Sequence, residues 1–277
     1  MQKINLYELN EIKTHFNKLS FKNRIKGLNY ERCAELPFIL NKLRPFFNER
    51  LKYLDIGSGG ESPLPSYLLN NTNWQINCID KFDWIKKQSS HVKKNKIRND
   101  IDRFNIYTQD ILDTNWESET FDVITNISVI EHFEGEKDIE AMKLSGLLLK
   151  KGGIYILTTL INDGYFKEFY VDSDVYGEKY DSKKVFYQRH YDAKNVSDRL
   201  IKPSGLNEKE RCYFGEYEYQ FFEKHLQLNK VLKPLKILYS WATPIFAHKF
   251  ISYRDVPVSR KEMKMNTSSG IILIMSK

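Results

Sequence analysis

Hydrophobic positions near the start of the chain follow a helical period. From Leu6 to Phe16 they recur every three or four residues, which predicts an amphipathic helix. A second helix is expected over Tyr30–Leu43, where a proline follows two residues after the last apolar position. We therefore predict that residues 1–48 form an N-terminal helical extension.

From residue 49 onward, short apolar runs alternate with helical segments. The predicted strands are Leu51–Ile56, Gln75–Asp80, Phe104–Thr108, Phe121–Asn126 and Gly153–Thr159. The helices between them are expected near Pro63–Asn70, Phe82–His91 and Lys137–Leu149. Because parallel strands require crossover connections, this alternation indicates an α/β domain with a mostly parallel sheet covered on both faces.

The second half of this domain, which spans 49–277, departs from the alternation. Residues 161–191 are rich in Tyr, Asp and Lys and predict an inserted loop or lid, and 216–262 form an aromatic and basic helical insertion. The chain closes with Gly270–Met275, a typical buried strand. Because this strand follows the long 216–262 insertion, we expect it to return into the sheet as one strand of a hairpin.

The composition is that of a globular protein, with 41% hydrophobic and 29% charged residues. A net charge of +7 allows a nucleic acid, an anionic membrane or a phosphorylated ligand as partner. Six of the cations lie between Lys86 and Arg98 with no acid among them, and a solvated helix face is the simpler interpretation. Nucleic-acid-binding segments interleave aromatic residues or glycines with such charge, and this one does not, which argues against nucleic acid.

The cysteines and the apolar stretches bear on where the protein resides. Cys33, Cys78 and Cys212 are far apart and have neither zinc-ligand nor disulfide-framework spacing, which favours a reducing cytoplasm. Met1–Asn10 is polar throughout and does not resemble a secretory signal. The longest uncharged apolar stretch, Ile237–Ala247, is too short to span a bilayer. We expect a cytoplasmic protein without a transmembrane segment.

Two strand ends carry the candidate chemistry. Tyr53–Gly60 is an apolar run that ends in an acid and a glycine turn, which is typical of a buried strand delivering its carboxyl end to a ligand. About twenty residues later Ile76–Asp80 is a second apolar run ending in an acid, placed to reach ribose hydroxyls from a neighbouring parallel strand. Together they predict an adenosine-type pocket.

The segment Asp55–Gly60 resembles the acid-x-Gly-x-Gly motif of class I S-adenosylmethionine-dependent methyltransferases. The resemblance covers roughly Leu51–Thr159 and the terminal strands within Leu206–Met275. It implies S-adenosylmethionine as cofactor and a Rossmann-like methyltransferase fold, a mostly parallel seven-stranded sheet with an antiparallel final strand. Glu61 stands at the third glycine position of the motif and departs from it.

The same resemblance assigns roles to three acids in chain order. It implies that Asp55 lies near the amino-acid part of the cofactor, Asp80 on the ribose and Asp110 beside the adenine amino group, although a lone acid is often only a turn or helix cap. The other cofactor-binding candidates around them are Gly57, Ser58, Gly59, Gly60, Lys81, Ile111 and Asn126. A dinucleotide is disfavoured because Pro63 and Pro65 remove N–H donors that a pyrophosphate needs.

The residues after the fourth strand, Glu131 and His132, resemble a pair found at the rim facing the transferred methyl in small-molecule methyltransferases. His132 is the candidate base, because histidine accepts a proton near neutral pH. It could equally be a packing or capping histidine, since positioning and desolvation can suffice without a base. The chain has no Asn-Pro-Pro-aromatic segment after this strand and no Asp/His cluster for a metal, which argues against base-amine methylation and for a metal-independent reaction.

Substrate contacts are predicted in the two insertions. Phe186–Asp192 resembles a segment of glycan-biosynthesis methyltransferases, so Arg189, His190 and Tyr191 are candidates for binding a sugar or phosphate. The alternative is a helix start in which Arg189 pairs with Asp192. In 216–262, a cluster of aromatic residues predicts a substrate cover, a peripheral membrane contact or ordinary packing; its members are Trp241, Phe246 and Tyr253, with Lys233, Lys236, Lys249 and Arg254.

These observations predict methyl transfer to an oxygen of a small polar acceptor, a sugar or another glycan-biosynthesis intermediate. Two alternatives remain open at this stage. The basic surface could serve an RNA or protein methyltransferase, whose binding would weaken steeply with salt. The fold could also be a non-catalytic scaffold that only binds S-adenosylmethionine.

Overall fold

A nine-stranded sheet and a separate two-stranded hairpin organise the computed structural model, which describes residues 2–94, 101–176, 183–226, 242–259, 265, 267 and 269–277. The strands, numbered along the chain, are β1 (Gln2–Lys3), β2 (Lys52–Ile56), β3 (Gln75–Asp80), β4 (Phe104–Thr108), β5 (Phe121–Ile127), β6 (Leu149–Leu160), β7 (Lys167–Val171), β8 (Val185–His190), β9 (Asn207–Gly215), β10 (Ser252–Arg254) and β11 (Gly270–Ser276). The large sheet has the order β1-β10-β9-β11-β6-β5-β2-β3-β4, and β7 pairs with β8.

The five strands β6-β5-β2-β3-β4 are parallel, as the alternation predicted. β11 lies antiparallel between β6 and β9, so the antiparallel final strand is confirmed. The predicted count of seven strands is wrong for this chain, because β1 and β10 add two more at one edge. These strands contain two and three residues, too few to leave a periodic signal in the sequence.

Among the described residues up to 148, six α-helices cover the sheet. They are α1 (Leu6–Leu19), α2 (Phe21–Lys26), α3 (Arg32–Leu43), α4 (Pro63–Asn71), α5 (Lys86–Lys94) and α6 (Lys137–Leu148). The side chain of Asn5 accepts a hydrogen bond from the backbone N–H of Tyr7 and caps α1, and Ser20 caps α2 in the same way. Further helical turns span Ala193–Asn195, Val196–Ile201 and Lys202–Ser204, and a helix spans Thr243–Phe250.

The N-terminal helices share a hydrophobic core with the sheet. Ile12 of α1 and Ile39 of α3 are fully buried in one cluster with Trp74 and the sheet residues Ile76 and Val123. On the opposite face a second cluster packs α6 against the other side of the same strands. The helices between Leu6 and Leu43 therefore form a layer on the sheet, because their apolar stripe has its counterpart on β2, β3 and β5.

The predicted insertions contain more regular structure than a loop. Residues 161–191 include the β7–β8 hairpin, whose chain returns to the main sheet through a bridge between Ile161 and Tyr191. In the second insertion Tyr253 is 4% exposed and donates a hydrogen bond to the carbonyl of Ala34, so it packs in the core. Three residues of the predicted aromatic and basic cluster, Trp241, Lys233 and Lys236, lie outside the described residues.

Candidate functional site

A cavity of about 400 Å³ opens at the carboxyl ends of β2, β3, β4 and β5. We call it the main cavity. Its walls include the glycine turn after β2, Asp80 at the end of β3, Asp110 after β4 and His132 after β5. Parallel strands bring their carboxyl ends to the same edge of a sheet, which places these separate segments around one space.

The turn after β2 needs glycine for two different reasons. Gly57 has φ +66°, and a Cβ there would lie 2.2 Å from Cγ1 of Val129. A Cβ on Gly60 would lie 2.6 Å from the carbonyl oxygen of Trp84. Gln88 of α5, which is 3% exposed, donates hydrogen bonds to the carbonyls before and at Gly59 and holds the turn in place. The turn is thus a rigid, backbone-lined cradle.

Asp80 joins the glycine turn to the loop that follows β3. One carboxylate oxygen, Oδ2, accepts the backbone N–H of Gly59 at 2.9 Å, and Oδ1 accepts that of Phe82 at 2.9 Å. The side chain is 8% exposed and lines the main cavity. A carboxylate fixed in this way can still accept hydrogen bonds from ligand hydroxyls, because each oxygen has two lone pairs.

Asp55 is buried beneath the same turn. Its two oxygens accept hydrogen bonds from the hydroxyls of Ser58 and Thr125, each at 2.6 Å. Burial raises the pKa of the Asp55 carboxyl to about 6, against the opposing effect of these hydroxyls. Asp55 and Ser58 line a second cavity, of about 270 Å³, on the side of the glycine turn that faces the N-terminal helices.

The segment after β4 contributes an acid and an apolar side chain. Asp110 accepts the backbone N–H of Leu112 at 3.1 Å and so caps a short helical turn, while it also lines the main cavity. Ile111 lines the cavity beside it and is 3% exposed. Asn126 accepts the backbone N–H of Ile130 at 3.2 Å and lies away from both cavities. Its position supports the turn after β5.

His132 lies on the cavity wall with a defined tautomer. Its Nδ1 is 2.7 Å from the carbonyl oxygen of Tyr187, and a carbonyl can only accept, so Nδ1 carries the proton and Nε2 carries a lone pair. Nε2 is 3.5 Å from the hydroxyl of Tyr176. Burial lowers the pKa of His132 to about 4, so the ring is neutral at physiological pH.

Glu131, the other residue of this pair, points into the protein. It is 1% exposed and accepts a hydrogen bond from the Thr159 hydroxyl at 3.0 Å, and burial raises its pKa to about 8. It does not line either cavity. The geometry therefore brings His132 to the cavity and leaves Glu131 behind it.

Aromatic rings form one wall of the main cavity. Phe82 and Trp84 follow β3, and their ring centroids are 4.2 Å apart. Tyr176 lies 5.9 Å from Phe82 and 5.0 Å from His132 between ring centroids, and it stacks on Tyr187. The wall thus combines the loop after β3 with the β7–β8 insertion. Sequence reasoning missed it, because these two segments are far apart in the chain.

The strand end at Ser128 is another feature that the sequence did not reveal. Ser128 has φ +49°, a left-handed conformation that is unfavourable for a residue other than glycine. Its hydroxyl donates to the buried carboxylate of Glu35 at 2.6 Å, and its N–H donates to the carbonyl of Thr158 at 3.0 Å. Backbone strain of this kind is concentrated at functional sites.

The three predicted substrate-binding residues lie away from both cavities. The Arg189 side chain is fully buried and donates to the carbonyls of Phe133 and Gly135 and to Asp138. Tyr191 is likewise buried and donates to Asp138 at 2.9 Å. His190 is 1% exposed and packs against another ring of the hairpin. The alternative surface pair of Arg189 with Asp192 does not form, since Asp192 instead caps the next helical turn.

These contacts give Arg189 and Tyr191 an indirect connection to the site. Both hold the loop between Ile130 and Asp138, which carries His132. Lys81, in contrast, is exposed on the cavity rim, and its Nζ lies 4.9 Å from the centroid of the Phe82 ring. The 161–191 insertion thus lines the cavity with Val175, Tyr176, Val185 and Phe186 rather than with its buried arginine.

Two features are absent from the part of the chain that the structure describes. No group of three or more His, Cys, Asp or Glu side chains in that part of the chain is arranged to hold a metal ion. Within the same residues, no helix combines the length and the hydrophobicity needed to cross a bilayer.

Comparison with known proteins adds the family. The methyltransferase domain family matches residues 28–228, most of the chain, and the protein belongs to this family. The match begins before α3, so it includes part of the N-terminal helical layer. No curated protein matches the chain significantly.

Solved structures with a similar fold include three with different activities. The 1,6-didemethyltoxoflavin-N1-methyltransferase of Burkholderia thailandensis, solved with S-adenosylhomocysteine, has 10% identity and a TM-score of 0.54, with 98% of this chain and 88% of that chain covered. Geranyl diphosphate C-methyltransferase of Streptomyces coelicolor A3(2) has 10% identity and a TM-score of 0.50, with coverage of 88% and 82%. The cyclase SpnF has 13% identity and a TM-score of 0.52, with 96% of each chain covered.

These structures share the Rossmann-like methyltransferase fold with this chain. At such low identity they do not determine the acceptor, which differs between the two methyltransferases. The family and the fold support S-adenosylmethionine as the cofactor. The residues that line the main cavity therefore provide the evidence on the acceptor.

Proposed function

We propose that this protein transfers the methyl group of S-adenosylmethionine to an oxygen of a small polar acceptor, a sugar or another glycan-biosynthesis intermediate. The observation that carries the proposal is the lone pair on His132 Nε2, held at the wall of the cavity beside the glycine turn. We also propose a cytoplasmic location, which the three buried free thiols support.

The chain's own residues fit the cofactor. The glycine turn lets a ligand approach backbone atoms closely, Asp80 offers acceptor oxygens for ribose hydroxyls, and Asp110 can accept from an adenine amino group. Ile79 and Ile111 provide apolar contact for the adenine ring. When bound, S-adenosylmethionine supplies an electrophilic methyl group on its sulfonium sulfur.

His132 would orient the acceptor and receive its proton. The neutral ring accepts a hydrogen bond from the acceptor hydroxyl at Nε2 while Tyr187 holds the ring by Nδ1. With its pKa lowered to about 4, His132 is a weak base, so its main contribution is to aim an oxygen lone pair. The proton can then pass from His132 to water at the cavity rim.

The aromatic wall supports a sugar-like acceptor. The faces of Phe82, Trp84 and Tyr176 offer apolar contact to the C–H groups of a sugar ring, while Lys81 and Glu134 at the rim offer partners for hydroxyl or phosphate groups. Much of the cavity of about 400 Å³ would be taken up by the adenosine half of the cofactor. The remaining space favours a small acceptor over an RNA or a folded protein.

Methyl transfer can be tested directly. The purified protein is incubated with methyl-deuterated S-adenosylmethionine and fractionated sugar nucleotides and lipid-linked glycan precursors, and products are read by mass spectrometry. We expect a deuterated methyl group on one acceptor, at an oxygen assigned by fragmentation. A methyl group found only on nitrogen or carbon would contradict the oxygen assignment, and failure to bind S-adenosylhomocysteine would contradict the proposed function as a whole.

Binding calorimetry and the labelled-product assay together separate the two alternatives. A non-catalytic scaffold would bind S-adenosylhomocysteine but yield no labelled product with any precursor or with RNA. An RNA methyltransferase would bind RNA with an affinity that falls steeply as salt rises, because phosphate contacts release counterions. We expect weak RNA binding and labelled small-molecule product.

A further inference from the structure

The assignments above leave the second cavity without a ligand. One wall consists of residues from the N-terminal helices and their connection, among them Lys26, Asn29 and Arg32. The other consists of residues 55–63 around the glycine turn. Gly57, Gly59 and Arg32 line both this cavity and the main cavity. A ligand that extends from the main cavity past the glycine turn therefore enters the second cavity and meets Arg32 at the junction.

Arg32 is held in a fixed orientation at this junction. Its guanidinium donates to the carboxylate of Glu35, one turn along α3, and to the carbonyl of Ile127 at the end of β5, at 3.1 Å. These bonds use two of the five N–H donors of the group. The side chain is 30% exposed and lines both cavities, so the anchored guanidinium remains accessible to a ligand.

Glu35 gives this orientation its rigidity. The carboxylate is fully buried and also accepts hydrogen bonds from the hydroxyls of Ser128 and Thr158, at 2.6 and 2.7 Å. Helix α3 is thereby joined to the two central strands at the point where the cavities meet. A guanidinium preorganised in this way suits a planar carboxylate, which it can bind through two parallel N–H donors.

We infer that Arg32 binds the α-carboxylate of S-adenosylmethionine and that the second cavity holds the amino-acid half of the cofactor. This inference rests on the proposed function, because it takes S-adenosylmethionine as the ligand of the main cavity. It adds a positively charged group from the N-terminal layer to the cofactor site. Helix α3 is then part of the cofactor site rather than only a cover for the sheet.

Two nucleosides distinguish this role from a structural one. S-Adenosylhomocysteine carries the amino-acid tail, whereas 5′-methylthioadenosine has the same adenosine and sulfur without it. In Arg32→Met we expect the affinity for S-adenosylhomocysteine to fall by about 10- to 100-fold, the range for losing hydrogen bonds to a charged group. The affinity for 5′-methylthioadenosine should stay within about twofold, because that ligand has no carboxylate.

Control variants account for the charge left behind. Arg32→Met leaves Glu35 buried without its partner, so the double variant Arg32→Met/Glu35→Gln is measured beside it by calorimetry and thermal denaturation. Arg24→Met removes an exposed arginine of α2 that lines neither cavity and should leave both affinities unchanged. The same selective loss in the single and the double variant would support the inference.

Other outcomes overturn it in distinguishable ways. An equal loss of affinity for both nucleosides would mean that Arg32 acts only through the fold. Unchanged binding of S-adenosylhomocysteine would mean that the carboxylate lies elsewhere or that Arg32 serves the acceptor. If the unmodified protein bound 5′-methylthioadenosine but gained nothing from the amino-acid tail, the inference would fail while the adenosine site stood. Binding of neither nucleoside would remove the proposed function together with the inference.

Discussion

Replacing Asp80 with alanine tests the part of the site on which the cofactor assignment depends most. Asp80 ends β3 with only 8% of its surface exposed. Each carboxylate oxygen accepts one backbone N–H, from Gly59 and from Phe82, at 2.9 Å. The side chain therefore both fixes the glycine turn and presents acceptors to the cavity. Its removal should affect folding and ligand binding together.

The expected magnitudes follow from these two hydrogen bonds. A buried donor that loses its partner costs about 1–3 kcal/mol, and the open cavity lets water replace part of the loss. We take the lower end of this range, about 1 kcal/mol, for each of the two N–H groups. The free energy of unfolding should then fall by about 2 kcal/mol. The affinity for S-adenosylhomocysteine should fall by about 10- to 100-fold, because ribose hydroxyls lose a charged acceptor.

Calorimetry with S-adenosylhomocysteine and urea denaturation measure the two effects separately. Asp83→Ala is the matched control, since Asp83 lies in the same loop with its side chain 77% exposed and paired with Lys86. Surface substitutions of this kind change stability by about 0.5 kcal/mol or less, so both quantities should remain close to those of the unmodified protein. Affinity within about twofold of normal in Asp80→Ala would refute the placement of the ribose at this carboxylate.

Three further predictions concern other parts of the site. His132 should remain neutral as pH falls from 7 to 5, because its pKa is lowered to about 4; an NMR titration midpoint near the usual histidine value would contradict this. Gly57→Ala should destabilise the fold by more than about 1 kcal/mol and abolish S-adenosylhomocysteine binding, because the added Cβ would collide with Val129. An unchanged affinity in calorimetry would contradict this prediction. Arg189→Met should cost about 3 kcal/mol in urea denaturation, since it breaks a buried pair with Asp138; an unchanged midpoint would argue against it.

The parallel half of the sheet could be predicted closely. Gln75–Asp80 and Phe104–Thr108 have the same bounds in the structure as in the sequence analysis. β6 begins at Leu149, four residues before the strand predicted from Gly153, because the chain pairs with β5 as soon as α6 ends. Apolar runs bounded by turn residues are strong signals of a strand. The first residues of β6 give no such run, because Leu149 is followed by two lysines and two glycines.

The candidate site could be predicted only where it follows strand ends. Asp55 and Asp80 lie within or at the end of an apolar run, and Asp110 follows the end of β4 by two residues. The structure places all three around the two cavities. Arg189 was instead interpreted from its local neighbours. Its partner Asp138 lies 51 residues away, in the first turn of α6, so no short-range pattern could indicate that the arginine is buried.

The sequence by itself determined the strands of the parallel half of the sheet and the glycines and acids that stand at their ends, because backbone periodicity and turn chemistry are local properties. It did not indicate β1, β10 or the β7–β8 hairpin. The tertiary structure decided what those ends face. It places Arg32 of the N-terminal layer and Tyr176 of the 161–191 insertion around the main cavity. It also buries Glu131, whereas the neighbouring His132 lines the cavity. Burial, charge pairing and ring stacking depend on residues distant in the chain, and only packing brings those residues together.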